Sequence, residues 1–458
     1  MKCLFIHTGH DGAITIVDNK EIVVHHQIDR FNRFKHSALP SHNLLEKIQK
    51  LNINFDLIYI TFLDEDNCTL IWLKFLKQYN LSKNVKINYS IQHHKYHACT
   101  TLYTTGSKNI FIFDRVGANI NNNLEQESYF KDMNLIQTNY KRGNQYKGLG
   151  WRYSEATTKL GFGEHGDAKT MAYAEYNDLA KQTQNSFEQE SLKMISQHFK
   201  GEVGLGGGCT QNIINNTKLN QTFKIKACPL NGDFGISLGA ANSYFNNKLN
   251  VFKNINMGFE LEYDSNFKMV STTPKEVADL LVNNVVGIMQ GRSEQGQRGL
   301  GFRSLLANPL DNKCIQKINQ IKKREWFRPF ACSILHEYGK EYLEEYFESP
   351  HMMYVFKCKN KKLMKNVSSK SGTTRAHSVT KQQTHYYNLI HEFFKITKNP
   401  FVLNTSLNLP GHVLVETLDD LRYMLTQVPL KYVYLPEIKK NTLNFLINIK
   451  KMIINENR

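Results

Sequence analysis

The first thirty residues alternate short apolar runs with polar breaks. "CLFIHTGHDGAITIVDNKEIVVHHQID" holds three runs rich in Ile, Val and Phe, interrupted at Gly9–Gly12 and at Asp18–Asn19. Runs of this length, bounded by Gly and Asp-Asn turns, predict strand, turn, strand, turn, strand. Two more strands are predicted at 55–62 ("FDLIYITF") and 109–114 ("NIFIFD"). Helical patterns cover 41–52, 152–160, 186–200 and 236–248, and no tandem repeat of fixed period is visible. A new segment starts near 265–274, where Pro274 leads a helix to 285 and a strand follows over 285–290. The Lys-rich stretch 357–375 reads as a mobile loop. The tail from 438 reads as a terminal helix packed back on the protein, with a membrane-surface helix as the alternative. The whole is a mixed α/β pattern, and 458 residues exceed what one core holds, so two domains are expected, 1–270 and 271–458.

Composition narrows the class. No run approaches 18 apolar residues, so no membrane span is predicted. The first strand is broken by His7, His10 and Asp11 and makes a poor secretory signal. Eight cysteines are scattered without C-x-x-C spacing, which fits free thiols in a reducing cytoplasm and argues against a zinc ribbon. The formal charge is +17, and residues 271–458 carry 28 Lys+Arg against 16 Asp+Glu. Three explanations stand: a Lys-rich composition with solvated faces, a phosphorylated small substrate, or a polyanion such as nucleic acid.

Four constellations carry candidate chemistry. In "QHHKYHACTTLY", His93 and His97 are four apart and share one face if the segment is helical. Asp114 ends an apolar strand, and Asp233 sits in the Gly-flanked "NGDFGISLGAAN"; two His and two Asp would suit iron, manganese or zinc, although Asp233 could equally cap its helix. "LGGGCTQN" (205–212) lets backbone N–H groups approach a phosphate or a base, without being a P-loop. "GQRGLGFRSLLANP" and "KKREWFRPFACSIL" place Arg298, Arg303, Lys323, Arg324 and Arg328 among aromatic and glycine residues. Burying that much positive charge without an anion costs several kcal/mol per ion, so an anion site is expected there. "NPFVLNTSLNLPGHVLVET" ends a strand in Asn404, Thr405 and Ser406, which could orient a polar substrate or simply form a turn.

Taken in order, these segments resemble the O-carbamoyltransferases of nodulation and antibiotic tailoring, from about residue 4 to 430. The residues that carry the likeness are "HTGHDGAITIVDNKEIV", "DRFNRFKH", His93-His94-x-x-His97-Ala98, "LGFGEHGDAKTMAYAEY", Gly207-Gly208 with Asn212, "PLNGDFGISLGAA", "EQGQRGLGFRSLLANP", "KKREWFRPFA" and "NTSLN". Departures include Gln297 where the family has Pro, which would loosen the arginine loop, Arg115 after Asp114, and His412 where Glu is frequent.

The resemblance implies an actin/sugar-kinase-like N-terminal domain, similar to threonylcarbamoyl-transfer proteins. It also implies a smaller α/β C-terminal domain, similar to the enzyme that makes threonylcarbamoyl adenylate. It implies ATP and carbamoyl phosphate as co-substrates, Mg2+ with ATP, and a divalent metal, Fe2+ in the first instance. Its expected ligands here are His93, His97, Asp114 and Asp233. Carbamoyl phosphate would be held by Arg298, Arg303, Lys323, Arg328, Arg375 and Ser406. The nucleotide would be held by Lys35, Lys169, Gly207, Gly208 and Asn212, with His10 as general base for the acceptor and Arg298 and Lys323 in the chemistry. The expected partner is a hydroxyl-bearing acceptor: a hydroxymethylated pyrimidine in DNA, a nucleotide, or a small sugar or antibiotic-like metabolite. A reading of another class is a non-catalytic nucleotide-binding partner in tRNA modification. A cytoplasmic protein is expected, with no membrane partner and with oligomerisation left open.

Overall fold

A computed structural model describes every residue except 63–66, 82–83, 89, 143–146, 252–253, 264–268, 437–443 and 449–458. The chain is mixed α/β and divides into two units, Met1–Phe259 and Glu260–Arg458. No helix among the described residues is long and apolar enough to cross a membrane.

The N-terminal unit holds two sheets of the same topology. In the first, β1 (Lys2–His7), β2 (Ala13–Asp18) and β3 (Glu21–Gln27) form an antiparallel meander, while β4 (Leu57–Thr61) and β5 (Val85–Asn88) run parallel to β1; the order is β3-β2-β1-β4-β5. The turn from β2 to β3 puts Asn19 and Lys20 at positive φ (47° and 72°), the backbone of a two-residue hairpin. In the second sheet the strands are β6 (Asn109–Phe113), β7 (Asn119–Ile120), β8 (Asn123–Lys131), β9 (Asn134–Arg142), β10 (Glu202–Gly206) and β11 (Lys224–Ala227). Strands β6, β8 and β9 form the meander, β10 and β11 run parallel to β6, and β7 only extends the edge of β8. Each sheet therefore reads third-second-first-fourth-fifth, the duplicated arrangement expected of an actin/sugar-kinase-like domain. The repeat is one of topology rather than residues, which is why no period shows in the sequence.

The first sheet is covered on both faces, so its strands read as apolar runs rather than alternating ones. Leu4, Ile6, Ile14 and Ile16 pack with Trp72 and with Leu44 and Ile48 of the helix His42–Lys50. On the other face Phe5 meets Tyr59 and Tyr244, ring centroids 5.5 and 5.7 Å apart. After the fifth strand of each sheet comes a helix, His93–Thr105 and Ile236–Tyr244 respectively. These two pack so closely that a Cβ on Gly239 would lie 2.0 Å from the carbonyl oxygen of Tyr96. The contact fixes how the residues at their N-terminal ends meet.

The C-terminal unit is built on one eight-stranded mixed sheet. Its strands are β12 (Met269–Thr272), β13 (Val286–Met289), β14 (Arg303–Ala307), β15 (Ala331–Leu335), β18 (Ala376–Val379), β19 (Phe401–Ser406), β20 (Tyr432–Leu435) and β21 (Asn444–Asn448), in the order β12-β21-β20-β13-β14-β19-β15-β18. Val277, Ala278 and Leu281 of the Pro-led helix Pro274–Asn283 pack with Tyr386, Leu389, Ile390 and Phe393 of the helix Thr384–Thr397 over this sheet.

Two expectations fail here. The tail at 444–448 is a strand paired with both β12 and β20, not a helix; 449–458 lie outside the described residues. "NFLIN" is a short continuous apolar run between two asparagines, and β12 and β20 offer it hydrogen bonds on both sides. The stretch 357–375 is not a mobile loop. It is closed by β16 (Phe356–Lys357) pairing with β17 (Thr373–Thr374), and it buries Met364 and Val367 completely.

Candidate metal centre and anion site

The duplicated topology brings strand ends and helix starts to one place in the N-terminal unit. His93 and His97 lie one turn apart at the start of their helix. Asp114 follows the last residue of β6, and Asp233 opens the short turn before Ile236–Tyr244. One donor atom from each of the four lies within 4.8 Å of all the others. The closest approaches are His97 Nε2 to Asp114 Oδ2 (3.2 Å) and to Asp233 Oδ1 (3.4 Å), with His93 Nε2 3.8 and 3.7 Å from the same atoms. Donors about 2.1 Å from a tetrahedral ion sit about 3.4 Å apart, so the spacing fits one cation. His93 Nε2, His97 Nε2, Asp114 Oδ2 and Asp233 Oδ2 are buried and make no hydrogen bond, which is what residues built to hold an ion leave behind. Two imidazoles and two carboxylates are a donor set for iron, manganese or zinc. Burial works against charge on Asp114, yet the two imidazoles hold its carboxyl well below the usual range. The same two carboxylates, working against burial, raise His97 to about 9.

Glycines let the loop after β10 reach this place. Gly207 has φ 81°, and a Cβ there would meet the Phe113 carbonyl oxygen at 2.5 Å; one on Gly208 would lie 3.1 Å from Asp114 Oδ1. Asn212 is occupied otherwise: its Oδ1 caps the helix Ile213–Asn220 and its amide exchanges hydrogen bonds with Gln184. Lys35 is exposed and Lys169 half-buried on a separate helix, Asp167–Tyr173. Arg115 turns to Glu164, 2.8 Å away. His10 is exposed at the rim, its Nε2 3.3 Å from Asp233 Oδ2, and that carboxylate pushes its imidazole up to about 10.

In the C-terminal unit the arginines separate into two kinds. Arg303 is fully buried and gives Nη1 to the carbonyls of Gln290 and Phe302 and Nη2 to that of Gly291. Its guanidinium ties the loop 290–303 together rather than facing a ligand. Glu294 accepts from the backbone N–H of Leu300 and Arg303, and Asn404 Nδ2 donates to the Gly299 carbonyl (3.0 Å). The loop is thus clamped from both sides, and Gln297, exposed at its tip, does not loosen it.

Arg298, Arg324, Arg328 and Arg375 form the second kind. They lie close enough for neighbours to depress three of them: Arg298 falls to about 10 through burial and Arg328, Arg324 to about 9 through burial, Arg328 and Arg298. Arg375 is pushed well below its usual value by burial and the other three, and its Nε is buried without a hydrogen bond. The one carboxylate paired with the cluster among the described residues is Glu325, 3.1 Å from Arg328. Such a concentration of half-buried positive charge calls for an anion.

Lys323 is not part of this group; it is exposed at the left-handed C-cap of the helix Cys314–Lys322. Its neighbour Lys322 is buried, with Nζ 2.8 Å from the Ser406 carbonyl, 3.0 Å from that of Asn408 and 2.5 Å from Asn408 Oδ1. Burial and the nearby Arg324 and Arg328 hold its amine well below 10.5. Lys322 is the residue that the sequence reading misses. The signal was present, because Cys314, Ile318 and Lys322 recur every four residues and so share the buried helix face.

The family profile described as Carbamoyltransferase C-terminus matches residues 277–440. The nodulation protein NolNO of Sinorhizobium fredii is 30% identical over 282 residues, 54% of this chain and 41% of that protein. The 3'-hydroxymethylcephem-O-carbamoyltransferase of Streptomyces clavuligerus is 28% identical over 232 residues, 47% of this chain and 44% of that enzyme. The chain spans about half the length of the curated relatives it matches. Among solved structures, an Aquifex aeolicus Ppx/GppA phosphatase covers 61% of this chain and 80% of its own at 12% identity and a TM-score of 0.27, too low to bear on the fold. Residues 277–440 thus carry a carbamoyltransferase C-terminal region, and about half of the chain is similar to O-carbamoyltransferases.

Proposed function

We propose that this protein transfers a carbamoyl group from carbamoyl phosphate, through ATP, to a hydroxyl. The observation that carries the reading is the group of four half-buried arginines beside buried Lys322, with Arg375 Nε lacking a hydrogen bond and a single paired carboxylate among the described residues. Two polyanions, ATP and carbamoyl phosphate, must be held together for the reaction, and fixed cations offset their repulsion. In this reading one water is consumed as carbamoyl phosphate is hydrolysed to carbamate and inorganic phosphate. The carbamate oxygen attacks the α-phosphorus of MgATP, and pyrophosphate leaves. The acceptor hydroxyl then attacks the carbamoyl carbon of the adenylate, giving up its proton, and AMP departs. Arg298, Arg328 and Arg375 bind the phosphates; Lys322, fixed by Ser406 and Asn408, adds a directed cation. Enclosure protects carbamate and its adenylate from water.

The second step is assigned to the N-terminal unit. His93, His97, Asp114 and Asp233 would hold a divalent ion, Fe2+ in our reading, which supplies a Lewis acid for the transferred group when bound. Gly207 and Gly208 give the nucleotide close backbone approach beside Asp114, and exposed His10 would receive the acceptor's proton in the neutral form that an ion offsetting the charge of Asp233 favours.

The acceptor carries a hydroxyl, as the name of the cephem enzyme states for its own substrate. A nucleic-acid acceptor, such as a hydroxymethylated pyrimidine, is favoured over a small metabolite by one observation. The ordered hairpin 357–375 exposes Lys357, Lys359, Lys361, Lys362, Lys365 and Lys370 and contains no acidic residue. The test is mass spectrometry of hydroxymethylated DNA, nucleotides and sugars incubated with protein, ATP, Mg2+ and carbamoyl phosphate. The reading expects one added CONH group on one acceptor class, absent with Arg298→Ala. No pyrophosphate release dependent on carbamoyl phosphate would move the protein to a nucleotide-binding partner without catalysis.

A further inference from the structure

We propose that His7 is a fifth donor of the metal centre, so that one ion is held by three imidazoles and two carboxylates; this rests on the metal-centre reading above. The position follows from the duplicated topology. In the second sheet the first strand, β6, delivers Asp114 from its C-terminal end. In the first sheet the first strand, β1, ends at His7, the topological counterpart of that position. Ligands gather at the carboxyl ends of parallel strands in sheets of this kind, and both first strands put a donor there.

The side chain has no structural occupation on the inner side. His7 is 1% exposed, and its Nε2 is buried without a hydrogen bond. Its Nδ1 lies 3.1 Å from Thr61 Oγ1, and that hydroxyl also reaches the Ile6 carbonyl at 3.4 Å. If the hydroxyl proton goes to Ile6, the Thr61 oxygen accepts from Nδ1–H, which leaves a lone pair on Nε2. That lone pair faces Asp233 Oδ2 at 4.0 Å. The gap is too long for a hydrogen bond and close to two metal–ligand distances of about 2.1 Å each. Two lone-pair atoms facing each other in a buried site repel unless a cation sits between them. Asp233 is shared accordingly: Oδ1 faces His93 and His97, while Oδ2 faces His10 at 3.3 Å on the exposed rim and His7 at 4.0 Å on the buried side. The His7 and His93 rings stand 6.3 Å apart, against 4.8 Å for His93 and His97, as for donors on opposite sides of a centre. The four tightly spaced donors do not include His7; it approaches from the second oxygen of Asp233.

The experiment is a Co2+ titration of the purified full-length protein, read by visible absorption and by ions bound per chain. The proposal expects one ion per chain, with His7→Gln weakening Co2+ binding by at least about tenfold and altering the Co2+ band. Thr61→Val, which leaves the imidazole but removes its Nδ1 partner, should weaken binding less. Pulsed EPR on the Cu2+-loaded wild type needs no variant and should count three coordinated imidazoles rather than two. Unchanged affinity and spectrum in His7→Gln, or two imidazoles by EPR, overturns the role of His7 while leaving the four-donor centre intact. Two ions per wild-type chain falling to one in His7→Gln would put His7 on a separate ion and overturn the single-centre form. A wild type that takes up no Co2+, Fe2+, Mn2+ or Zn2+ overturns the metal-centre reading itself, and His7's role with it.

Discussion

The two candidate sites are electrostatic opposites. In the N-terminal unit, two buried carboxylates and their imidazoles converge on a space that suits a cation. In the C-terminal unit, four half-buried arginines and a buried lysine lie near one another, an arrangement that suits an anion. They are also built differently. The first takes its donors from strand ends and helix starts repeated by a duplicated topology, so its geometry is fixed by packing such as that of Gly239 against Tyr96. The second takes its arginines from loops and Lys322 from a helix end, and the clamps at Arg303, Glu294 and Asn404 hold the loop that carries Arg298 in shape. Residues of one type can therefore do opposite work a few positions apart: Arg303 is structure, Arg298 is site.

The sharpest way to break that distinction is to substitute both kinds of arginine. Arg303→Met would strand three backbone carbonyls and should cost about 3 kcal/mol or more, read as a lowered denaturation midpoint. Arg375→Met removes a repelled, incompletely bonded cation, and without ligand it should leave stability unchanged or raise it by about 1 kcal/mol. An equal loss in both variants would erase the difference between clamp and site. Next in size is a ligand effect. At concentrations about 100-fold above its Kd, pyrophosphate should stabilise the wild type by about 2.7 kcal/mol, and Arg375→Met less. A wild-type melting point indifferent to pyrophosphate would count against the anion site.

A smaller effect depends on pH. Because the folded amine of Lys322 is held well below 10.5, the unfolded chain binds the extra proton between the two values. Wild-type stability relative to Lys322→Met should therefore rise as pH is raised towards 10.5. Melting curves at successive pH values check this, and a difference that falls with pH would contradict it. Smallest is the surface term. Each of Lys361→Ala and Lys362→Ala should lower the salt dependence of DNA binding by about one unit of slope, measured by fluorescence anisotropy. Absence of DNA binding at low salt removes the nucleic-acid acceptor and leaves the rest standing.

The sequence made some of this legible because a few signals are local. His93 and His97 needed only helical spacing, and the first three strands needed only their apolar runs and turns. What was hidden depends on residues far apart in the chain. Asp233 could have been a plain cap until packing set it against His97. His7 looked like an interruption in a strand, and the duplication left no trace in residue identity. The lysine was misplaced by one residue, from Lys322 to Lys323, because a basic run reads as solvated unless its helix phase is followed back to Ile318. Arg303 looked like Arg298, since only the folded loop shows that its donors end on carbonyls.

The central claim is that the anion site activates the carbamoyl group and the metal centre delivers it. Pyrophosphate release and acceptor carbamoylation, measured side by side in Arg298→Ala and His97→Ala, test it most directly. The account predicts that Arg298→Ala loses both by about 100-fold or more, while His97→Ala keeps pyrophosphate release and loses carbamoylation. Full pyrophosphate release in Arg298→Ala, or its loss in His97→Ala with the fold intact, would contradict the account.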